Sequence, residues 1–461
     1  MSFLLISFLF CFFLSFLNFI NSSRVSIPFK VQNFTYEDKK EFIYRYIYKD
    51  ILVNFLVGSP PQNARLSINL GEYSTFIISK DAYGYRDSTF DKDKSETYKA
   101  LSGEDFYYYQ TYREAIKSTD DFIVQGPNSE YIKYNNISFC LATDIQEGST
   151  FCYYCEILTE PGMLGLMIGQ TKMSEENIYE MNFIGQLKNN SIISSYDFFF
   201  DFNKNDTGNL IIGIRPDEYY QSEKYKKLKY VTIKTSLSHN DIEWCIDFDQ
   251  VHYGEKKMEV KPSQPMILRI EFGLIIGYPE WEYTLKDNFF NDLINNNTCF
   301  LKNATGHDPR FRYNYYYCNK NVNLDSFKPF TFTINEYNYN FTLTKEDLFF
   351  DDGDKYVFLM TFGGMEEFVL GLPFFKRNQL IFNQDTKTLG FYINKTDENE
   401  NSLTKYIIII SVLGIILIGL TIFIIWYIKN KKKKIKATEL LDDNENENKI
   451  IEENPDGRLT E

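Results

Sequence analysis

Between two long apolar segments, the chain is a succession of short apolar, β-branched and aromatic runs separated by glycine, proline, asparagine and aspartate. This pattern is typical of β-strands joined by turns. Glu175 to Lys188 and Glu280 to Asn295 are the helical candidates. A mostly-β region of about 380 residues fits two lobes better than one sandwich. The predicted strands are Ile51–Val57, Leu66–Leu70, Asn209–Ile214, Tyr230–Ile233, Phe330–Ile334, Tyr356–Phe362 and Gln379–Phe382.

The two apolar segments predict a secreted chain anchored in a membrane. Residues 1–21 carry no charge and predict a signal peptide; an uncleaved anchor is the alternative, because the usual positive start is missing. Residues 406–428 are uncharged and long enough to cross a bilayer as a helix. Acidic residues in the linker 396–405 precede them, and lysines open the tail 429–461, which places the tail in the cytoplasm. We therefore expect a single-pass type I membrane protein of the secretory system or cell surface.

The cysteines and the net charge restrict cofactors and partners. Six cysteines follow the signal segment, an even number that suits disulfides in an oxidising lumen. Zinc is the alternative for Cys152 and Cys155, but no second pair at ligand spacing accompanies them. We expect no metal and no cofactor. The net charge of -14, without a basic lumenal stretch, excludes a nucleic-acid partner. The other four cysteines are Cys140, Cys245, Cys299 and Cys318.

Glycosylation sequons lie on one side of the predicted membrane segment. All eight that follow the signal segment come before residue 406, as expected if this part of the chain is lumenal. The predicted glycosylation sites are Asn33, Asn136, Asn189, Asn205, Asn296, Asn303, Asn340 and Asn394.

A weak internal repeat points to two similar lobes. A strand that runs into a glycine occurs at Ser67–Gly71 and again at Arg269–Gly273. Duplicated sequence patterns of this kind indicate duplicated structural units.

Around these turns the sequence resembles the pepsin-like aspartic proteases, over residues 48–393. Residues 53–62 are similar to the first hairpin of that family, and Gly162-Met163-Leu164-Gly165-Leu166 is similar to its Gly-Ile-Leu-Gly-Leu motif. Residues 368–391 match its terminal segment without a gap. In that segment a glycine turn passes under the catalytic loop, where only glycine permits a close backbone approach.

The resemblance implies a mostly-β, bilobal pepsin-like fold. It divides the lumenal part into a short leader or N-terminal extension at residues 22–47, an N-terminal lobe at 48–225 and a C-terminal lobe at 226–395. It also implies a disulfide between Cys299 and Cys318.

The resemblance places the two catalytic positions at Asn69 and Glu271, where the family has aspartates. Two aspartates share one proton there, because two charges so close together cannot both ionise. One carboxylate is the general base that activates water, and a neutral amide at position 69 cannot take that role. The longer side chain at position 271 displaces its carboxyl group by about 1.5 Å, and a shift of about 1 Å can cost about a hundredfold in rate.

The residues that support the dyad in the family are also replaced. Hydroxyl side chains follow each aspartate and each glycine in the family, and four other residues stand there: Leu70, Phe272, Glu72 and Leu274. Gly71 and Gly273, which the turns need, remain. Tyr109 is the best match to the flap tyrosine and Tyr112 the second, with ordinary strand packing as the alternative.

Three functions compete on this evidence. The first is a catalytically inactive pepsin-like ectodomain that binds a peptide or protein ligand in or near the interlobe cleft. The second is an active aspartic-type endopeptidase with an unusual Asn/Glu site, in which Glu271 is a lone general base. The third is a structural or adhesive surface protein without an open cleft.

Overall fold

The computed structural model describes residues 24–33, 46, 49–83, 90–106, 112–126, 130–145, 162–170, 182–235, 241–260, 265–305, 312–363, 368–395, 420–421 and 424–430. Residues up to Ile393 belong to one compact unit and those from Asn394 to another.

Strands dominate the first unit. In chain order they are β1 (Val25–Asn33), β2 (Lys49–Val57), β3 (Gln62–Asn69), β4 (Phe76–Tyr83), β5 (Lys99–Phe106), β6 (Tyr112–Gln125), β7 (Tyr131–Ile145), β8 (Gly162–Gly165), β9 (Gly169–Gln170), β10 (Asp197–Phe202), β11 (Thr207–Ile212), β12 (Leu228–Lys234), β13 (Asp241–Ile242), β14 (Cys245–Ile246), β15 (Gln250–Tyr253), β16 (Lys256–Met258), β17 (Met266–Leu268), β18 (Ile275–Gly277), β19 (Cys299–Thr305), β20 (Arg312–Asn319), β21 (Phe330–Ile334), β22 (Tyr339–Leu343), β23 (Phe349–Asp351), β24 (Lys355–Phe358), β25 (Met360–Phe362), β26 (Phe368–Leu370), β27 (Ile381–Asn383) and β28 (Thr388–Asn394).

The helices are short. They are α1 (Phe183–Asn189), α2 (Pro216–Tyr220), α3 (Glu223–Lys226), α4 (Pro279–Leu285), α5 (Asn291–Asn295), α6 (Lys345–Leu348) and α7 (Leu372–Arg377), with a π-helical turn at Lys286–Phe290 between α4 and α5 and 3-10 turns at Lys92–Lys94, Leu324–Ser326 and Asn335–Tyr337.

One large sheet joins the two halves of this unit. Its strand order is β12-β28-β27-β10-β11-β1-β2-β3-β8-β4-β7-β6-β5, so strands from the C-terminal half continue the sheet of the N-terminal half. A nine-stranded sheet, in which β14-β17-β26-β18-β25-β20-β24-β23 are neighbours and β19 pairs with β20, forms the core of the C-terminal half. A four-stranded sheet, β16-β15-β21-β22, packs with it.

Strand β1 begins earlier than the sequence patterns indicated. We expected the first strand near residue 48, after a leader at residues 22–47, and that expectation is wrong because Val25–Asn33 pairs with both β11 and β2. Its alternate side chains Val25, Ile27, Phe29 and Val31 are all buried. This period of two is the strand signature, so the segment contributes to the core of the sheet.

The predicted elements otherwise agree with the structure. Every predicted strand overlaps an observed one, although Tyr356–Phe362 divides into β24 and β25. The helix predicted from Glu280 to Asn295 is present as α4, the π-helical turn and α5. Of the helix predicted from Glu175 to Lys188, the described part is helical from Phe183.

The internal repeat in the sequence is also a structural repeat. In the N-terminal half β3 runs parallel to β8, with Asn69 opposite Gly165. In the C-terminal half β17 runs parallel to β26, with Leu268 opposite Leu370. In each half, therefore, one strand leads into a glycine turn, at Gly71 or Gly273. The parallel strand beside it ends at or next to a second glycine, Gly165 or Gly371.

The second unit is described over a few residues. Residues 420–421 and 424–430 are helical, and the apolar side chains among them, such as Leu420 and Ile425, are exposed. Within the part of the chain that the structure describes, no helix is both long and apolar enough to cross a membrane.

Candidate active site

The first turn follows β3 and is held by its own backbone. The Asn69 side chain accepts a hydrogen bond from the Gly71 amide at 2.7 Å, which closes the turn locally. The Leu166 amide donates to the Asn69 carbonyl at 2.9 Å. A Cβ at Gly165 would lie within 2.6 Å of the Ser74 carbonyl oxygen, so the glycine is required beneath this turn.

The second turn follows β17 and repeats this arrangement. The Arg269 amide donates to the Leu370 carbonyl at 3.1 Å, and the Leu372 amide donates to the Phe272 carbonyl at 2.6 Å. A Cβ at Gly371 would overlap the carbonyl oxygens of Phe272 and Leu274. The close backbone approach expected beneath the second turn is therefore present, and its glycine is needed for steric reasons.

The structure brings the two turns together. The Arg269 side chain of the second turn covers Gly71 of the first so closely that a Cβ at Gly71 would overlap the guanidinium group. The backbone amide of Leu70 in the first turn forms a hydrogen bond with the Glu271 carboxyl group of the second. The positions that correspond to the catalytic pair therefore face each other, with Asn69 on one side and Glu271 on the other.

A charged network occupies this junction. Arg269 forms an ion pair with Glu243 through Nη2, and its Nη1 lies 3.4 Å from Oε1 of Glu271. The three side chains are between 12% and 19% exposed, so the network is mostly buried. Oε2 of Glu271 is buried and has no hydrogen-bond partner among the residues that the structure describes.

Burial controls the ionisation of Glu271. Loss of solvent raises the pKa of its carboxyl group above the ordinary value of 4.5, while the charge of Arg269 acts in the opposite direction and is the weaker cause. Glu271 therefore retains its proton at a higher pH than an exposed glutamate does.

Apolar side chains fill the positions where the family has hydroxyl groups. Leu70 is 1% exposed, Phe272 3% and Leu274 0%, so all three are packed in the core. Glu72 is also buried, and its carbonyl oxygen accepts from the Met167 amide at 2.8 Å. Packing has therefore replaced the hydrogen-bonded support that a pair of aspartates needs.

The chain before β2 covers the other side of the second turn. The Lys49 amide donates to the Glu271 carbonyl at 2.9 Å, and a Cβ at Gly273 would overlap the carbonyl oxygen of Tyr46. The Lys49 side chain is buried beside Tyr46 and Phe350. Its burial, helped by Lys376, lowers the pKa of the amine to about 8.

The buried aspartates of the described residues are bonded elsewhere. Asp120 accepts from the hydroxyl groups of Ser95 and Thr97. The other three, each paired outside the two turns, are Asp91 with Lys80, Asp121 with Lys133, and Asp197 with Ser195 and Asn383. None of these four supplies the carboxylate that position 69 lacks.

Two side chains of the C-terminal half, Trp244 and Gln384, hold the first turn in place. The indole nitrogen of Trp244 donates to the Leu166 carbonyl at 2.8 Å, and Gln384 donates to the Met167 carbonyl at 3.1 Å. Trp244 is fully buried between Phe198 and Phe382. These contacts hold the Leu166 segment, and through it the Asn69 turn, against the shared sheet.

The sequence patterns did not identify Arg269, Glu243 or Trp244 as site residues. In the sequence, Arg269 is the first residue of the repeated segment Arg269–Gly273. It is a charged residue in a mainly apolar stretch, two positions before Glu271. Because side chains two apart in an extended strand share a face, that spacing was the available signal. Glu243 and Trp244 carried no local signal.

The remaining predicted residues fall into three groups. Cys299 and Cys318 form the expected disulfide across the β19–β20 pair. Tyr109, Cys152 and Cys155 lie outside the described residues. No group of three or more His, Cys, Asp or Glu that could hold a metal occurs in the described ranges. The sequon asparagines whose exposure the structure gives are all exposed: Asn136, Asn189, Asn205, Asn296, Asn303, Asn340 and Asn394.

The aspartic proteases are mostly-β proteins in which two glycine turns face each other. Beneath each turn a second glycine allows the backbone to approach closely. The family model described as eukaryotic aspartyl protease matches residues 52–392. The chain belongs to this family. No protein with a curated description matches the sequence.

Proposed function

We propose that this chain is a single-pass type I membrane glycoprotein whose pepsin-like domain is catalytically inactive and binds a peptide or protein in the interlobe cleft. The proposal depends on which side chains lie where the two glycine turns meet. An amide at Asn69 and the guanidinium of Arg269 occupy the place where two aspartates would share a proton.

This composition removes the chemistry of the family. Hydrolysis needs one ionised carboxylate as base and one protonated carboxyl as acid around a single water. Asn69 offers neither form, and its oxygen already accepts from Gly71. Glu271 has a raised pKa and so is suited to donate a proton, but it has no carboxylate opposite it among the described residues.

The membrane topology rests on sequence and surface. An uncharged segment at residues 406–428, followed by lysines, supports a membrane anchor. Exposed apolar side chains in its described part support the same view, because they need an apolar surrounding. Exposed sequon asparagines support a glycosylated lumenal domain. Glycosidase treatment and protease protection in membrane vesicles test both: we expect removable glycans and a C-terminal tag accessible from the cytosol.

A proteolysis assay tests the inactive site. The full chain, purified in detergent, is incubated with a fluorogenic peptide library from about pH 3 to about pH 7, the range in which carboxyl pairs work. We expect no turnover. Asn69→Asp with Glu271→Asp serves as the matched variant, and we expect it to remain inactive because Arg269, Leu70 and Phe272 are unchanged.

Pepstatin-sensitive cleavage by the parent chain would overturn the proposal. The Glu271→Gln variant identifies its source, since cleavage that persists without this carboxyl group comes from a contaminating protease. Cleavage that disappears in Glu271→Gln would instead establish the Asn/Glu enzyme.

A further inference from the structure

Lysine side chains gather at one edge of the large sheet. Lys224 and Lys226 lie on α3, Lys227 follows this helix, and Lys229 and Lys234 lie on β12. All five are exposed, and β12 stands at one end of the strand order. We call this group the lysine edge. A chain with a net charge of -14 therefore presents a local concentration of positive charge at this place.

The acidic side chains of the same region are fewer. Between Arg215 and Lys234 the chain has six basic and three acidic residues, so three positive charges are in excess. The two acidic residues of α2 contact Arg215, and the one on α3 contacts Lys226. This part of the surface is therefore cationic at neutral pH.

Tyrosine rings hold the lysine edge against the sheet. The ring of Tyr225 on α3 lies 5.7 Å from that of Tyr220 and 4.8 Å from that of Tyr392 on β28, measured between centroids. Tyr220 is hydrogen-bonded to Asp201, and Tyr392 to Asp217. Tyr220 and Tyr392 are half-buried, and tyrosine is enriched at membrane interfaces, where its ring meets the apolar side and its hydroxyl group the polar side. The lysines therefore stand on an ordered aromatic base.

The chain leaves the sheet beside the lysine edge. The Thr235 amide donates to the Lys387 carbonyl at 3.1 Å, and the rings of Tyr230 and Tyr392 lie 5.5 Å apart, so β12 and β28 run in opposite directions. The end of β28 at Asn394 therefore lies beside the start of β12. The predicted membrane segment begins twelve residues later, a reach of at most about 40 Å.

We propose that the lysine edge binds the anionic phospholipid headgroups of the membrane in which the chain is anchored, and so turns one face of the pepsin-like domain toward the bilayer. Clusters of lysines close to a membrane segment bind anionic lipid because each cation adds to the attraction. This inference rests on the membrane anchor proposed above and adds the surface by which the domain meets the lipid.

Lysine labelling in lipid nanodiscs tests the contact. The full chain is placed in nanodiscs of phosphatidylcholine with or without phosphatidylserine, and a water-soluble amine reagent followed by mass spectrometry gives the labelling rate of each lysine. The same rates are measured in neutral detergent.

We expect the lysine edge to be labelled about fivefold or more slowly in the phosphatidylserine nanodiscs than in detergent, the effect of one cation at an anionic surface. At about 1 M salt, where charges are screened within about 3 Å, this protection should disappear. Edge strands also carry lysines that only prevent pairing with other chains. Lys99 is the internal control, because it is exposed on β5 at the opposite end of the same sheet and should be labelled equally in both media.

Two charge-matched variants locate the contact, with the rate at Lys226 as their readout. The first replaces three lysines of the lysine edge and should return Lys226 to its rate in detergent. The second replaces three exposed lysines of β5 and β16 and should leave Lys226 protected. Thermal melting establishes that both are folded. The variants are Lys224→Gln with Lys227→Gln and Lys229→Gln, and Lys99→Gln with Lys256→Gln and Lys257→Gln.

The outcomes separate this inference from the membrane anchor. A chain that stays with the nanodiscs but is labelled at the lysine edge as fast as in detergent refutes the lipid contact and leaves the anchor standing. A chain that does not remain with the nanodiscs refutes the anchor and the contact together. Equal protection of Lys99, or of the lysine edge without phosphatidylserine, refutes the assignment to anionic headgroups at this edge.

Discussion

Replacing Arg269 by methionine should destabilise the fold strongly, because this side chain contacts the carboxyl groups of both Glu243 and Glu271. Methionine retains the length and the apolar stem of the side chain but removes the charge. Both carboxyl groups then remain mostly buried, at 12% and 14% exposure, and have lost the guanidinium that they share.

The magnitude follows from the burial of the network. Removing one partner of a buried ion pair costs about 3 to 5 kcal/mol, whereas an exposed pair contributes about 0 to 1 kcal/mol. Because the three side chains keep 12% to 19% of their exposure, we expect a value at the lower end, about 3 kcal/mol, for Arg269→Met. Lys226→Met is the matched control, since it breaks the exposed pair with Glu223 and should cost less than about 1 kcal/mol.

Urea unfolding of the full chain in detergent, followed by tryptophan fluorescence, measures both variants. Trp244 is a suitable reporter because its indole bonds directly to the Leu166 segment beside the first turn. Adding Glu271→Gln to Arg269→Met should recover part of the loss, since one of the two buried carboxyl groups that lost the guanidinium is then replaced by a neutral amide. A loss no larger than that of Lys226→Met, or no recovery in the double variant, would refute the view that Arg269 neutralises the junction.

Three further predictions concern other parts of the structure. Burial raises the pKa of Glu271, so the folded chain holds a proton that the unfolded chain releases; this stabilisation is complete below the ordinary value of 4.5 and is lost as the pH rises through the folded value. Glu271→Gln should therefore be more stable than the parent at neutral pH and equal in acid, and urea titrations that show no gain at neutral pH contradict this. Cys299→Ser with Cys318→Ser should lower the unfolding free energy by about 2 to 5 kcal/mol, and an unchanged melting temperature would be the opposite result. Gly371→Ala should be more destabilising in the same titration than Gly353→Ala. At Gly353 the added carbon meets no atom within 4 Å and strains only a backbone at φ +78°, a cost of about 1 to 2 kcal/mol.

The sequence predicts the scaffold because its signals are local. Alternating apolar residues identify strands, and the glycines at 165 and 371 identify the two backbone crossings, since each lies where a Cβ would strike a carbonyl oxygen. The facing positions Asn69 and Glu271 follow from the same motifs. The sequence does not predict β1, although its apolar residues alternate, because it lies within residues 22–47, which the family resemblance assigns to a leader.

That Arg269 lies between the two turns could not be predicted in the same way. Arg269 acts on Gly71, almost two hundred positions earlier in the chain, and the contact exists only once both turns are in place. The choice of Glu243 as its stronger partner depends on the pairing of β14 with β17, two-residue and three-residue strands whose register no local pattern specifies. Long-range charge pairs of this kind depend on tertiary geometry and not on residue spacing.

Arg269 also changes what a restored pair of aspartates could do. An aspartate at position 69 would lie in the turn that the Arg269 guanidinium covers, and a nearby positive charge favours the ionised form of a carboxyl group. A carboxylate whose pKa is lowered in this way is a weaker general base toward water, so the charge of Arg269 would oppose catalysis by the restored pair. Any reactivation by two new aspartates should therefore be greater when the guanidinium is removed as well. The proposed inactivity of the junction thus depends on Arg269 as much as on the residues at positions 69 and 271.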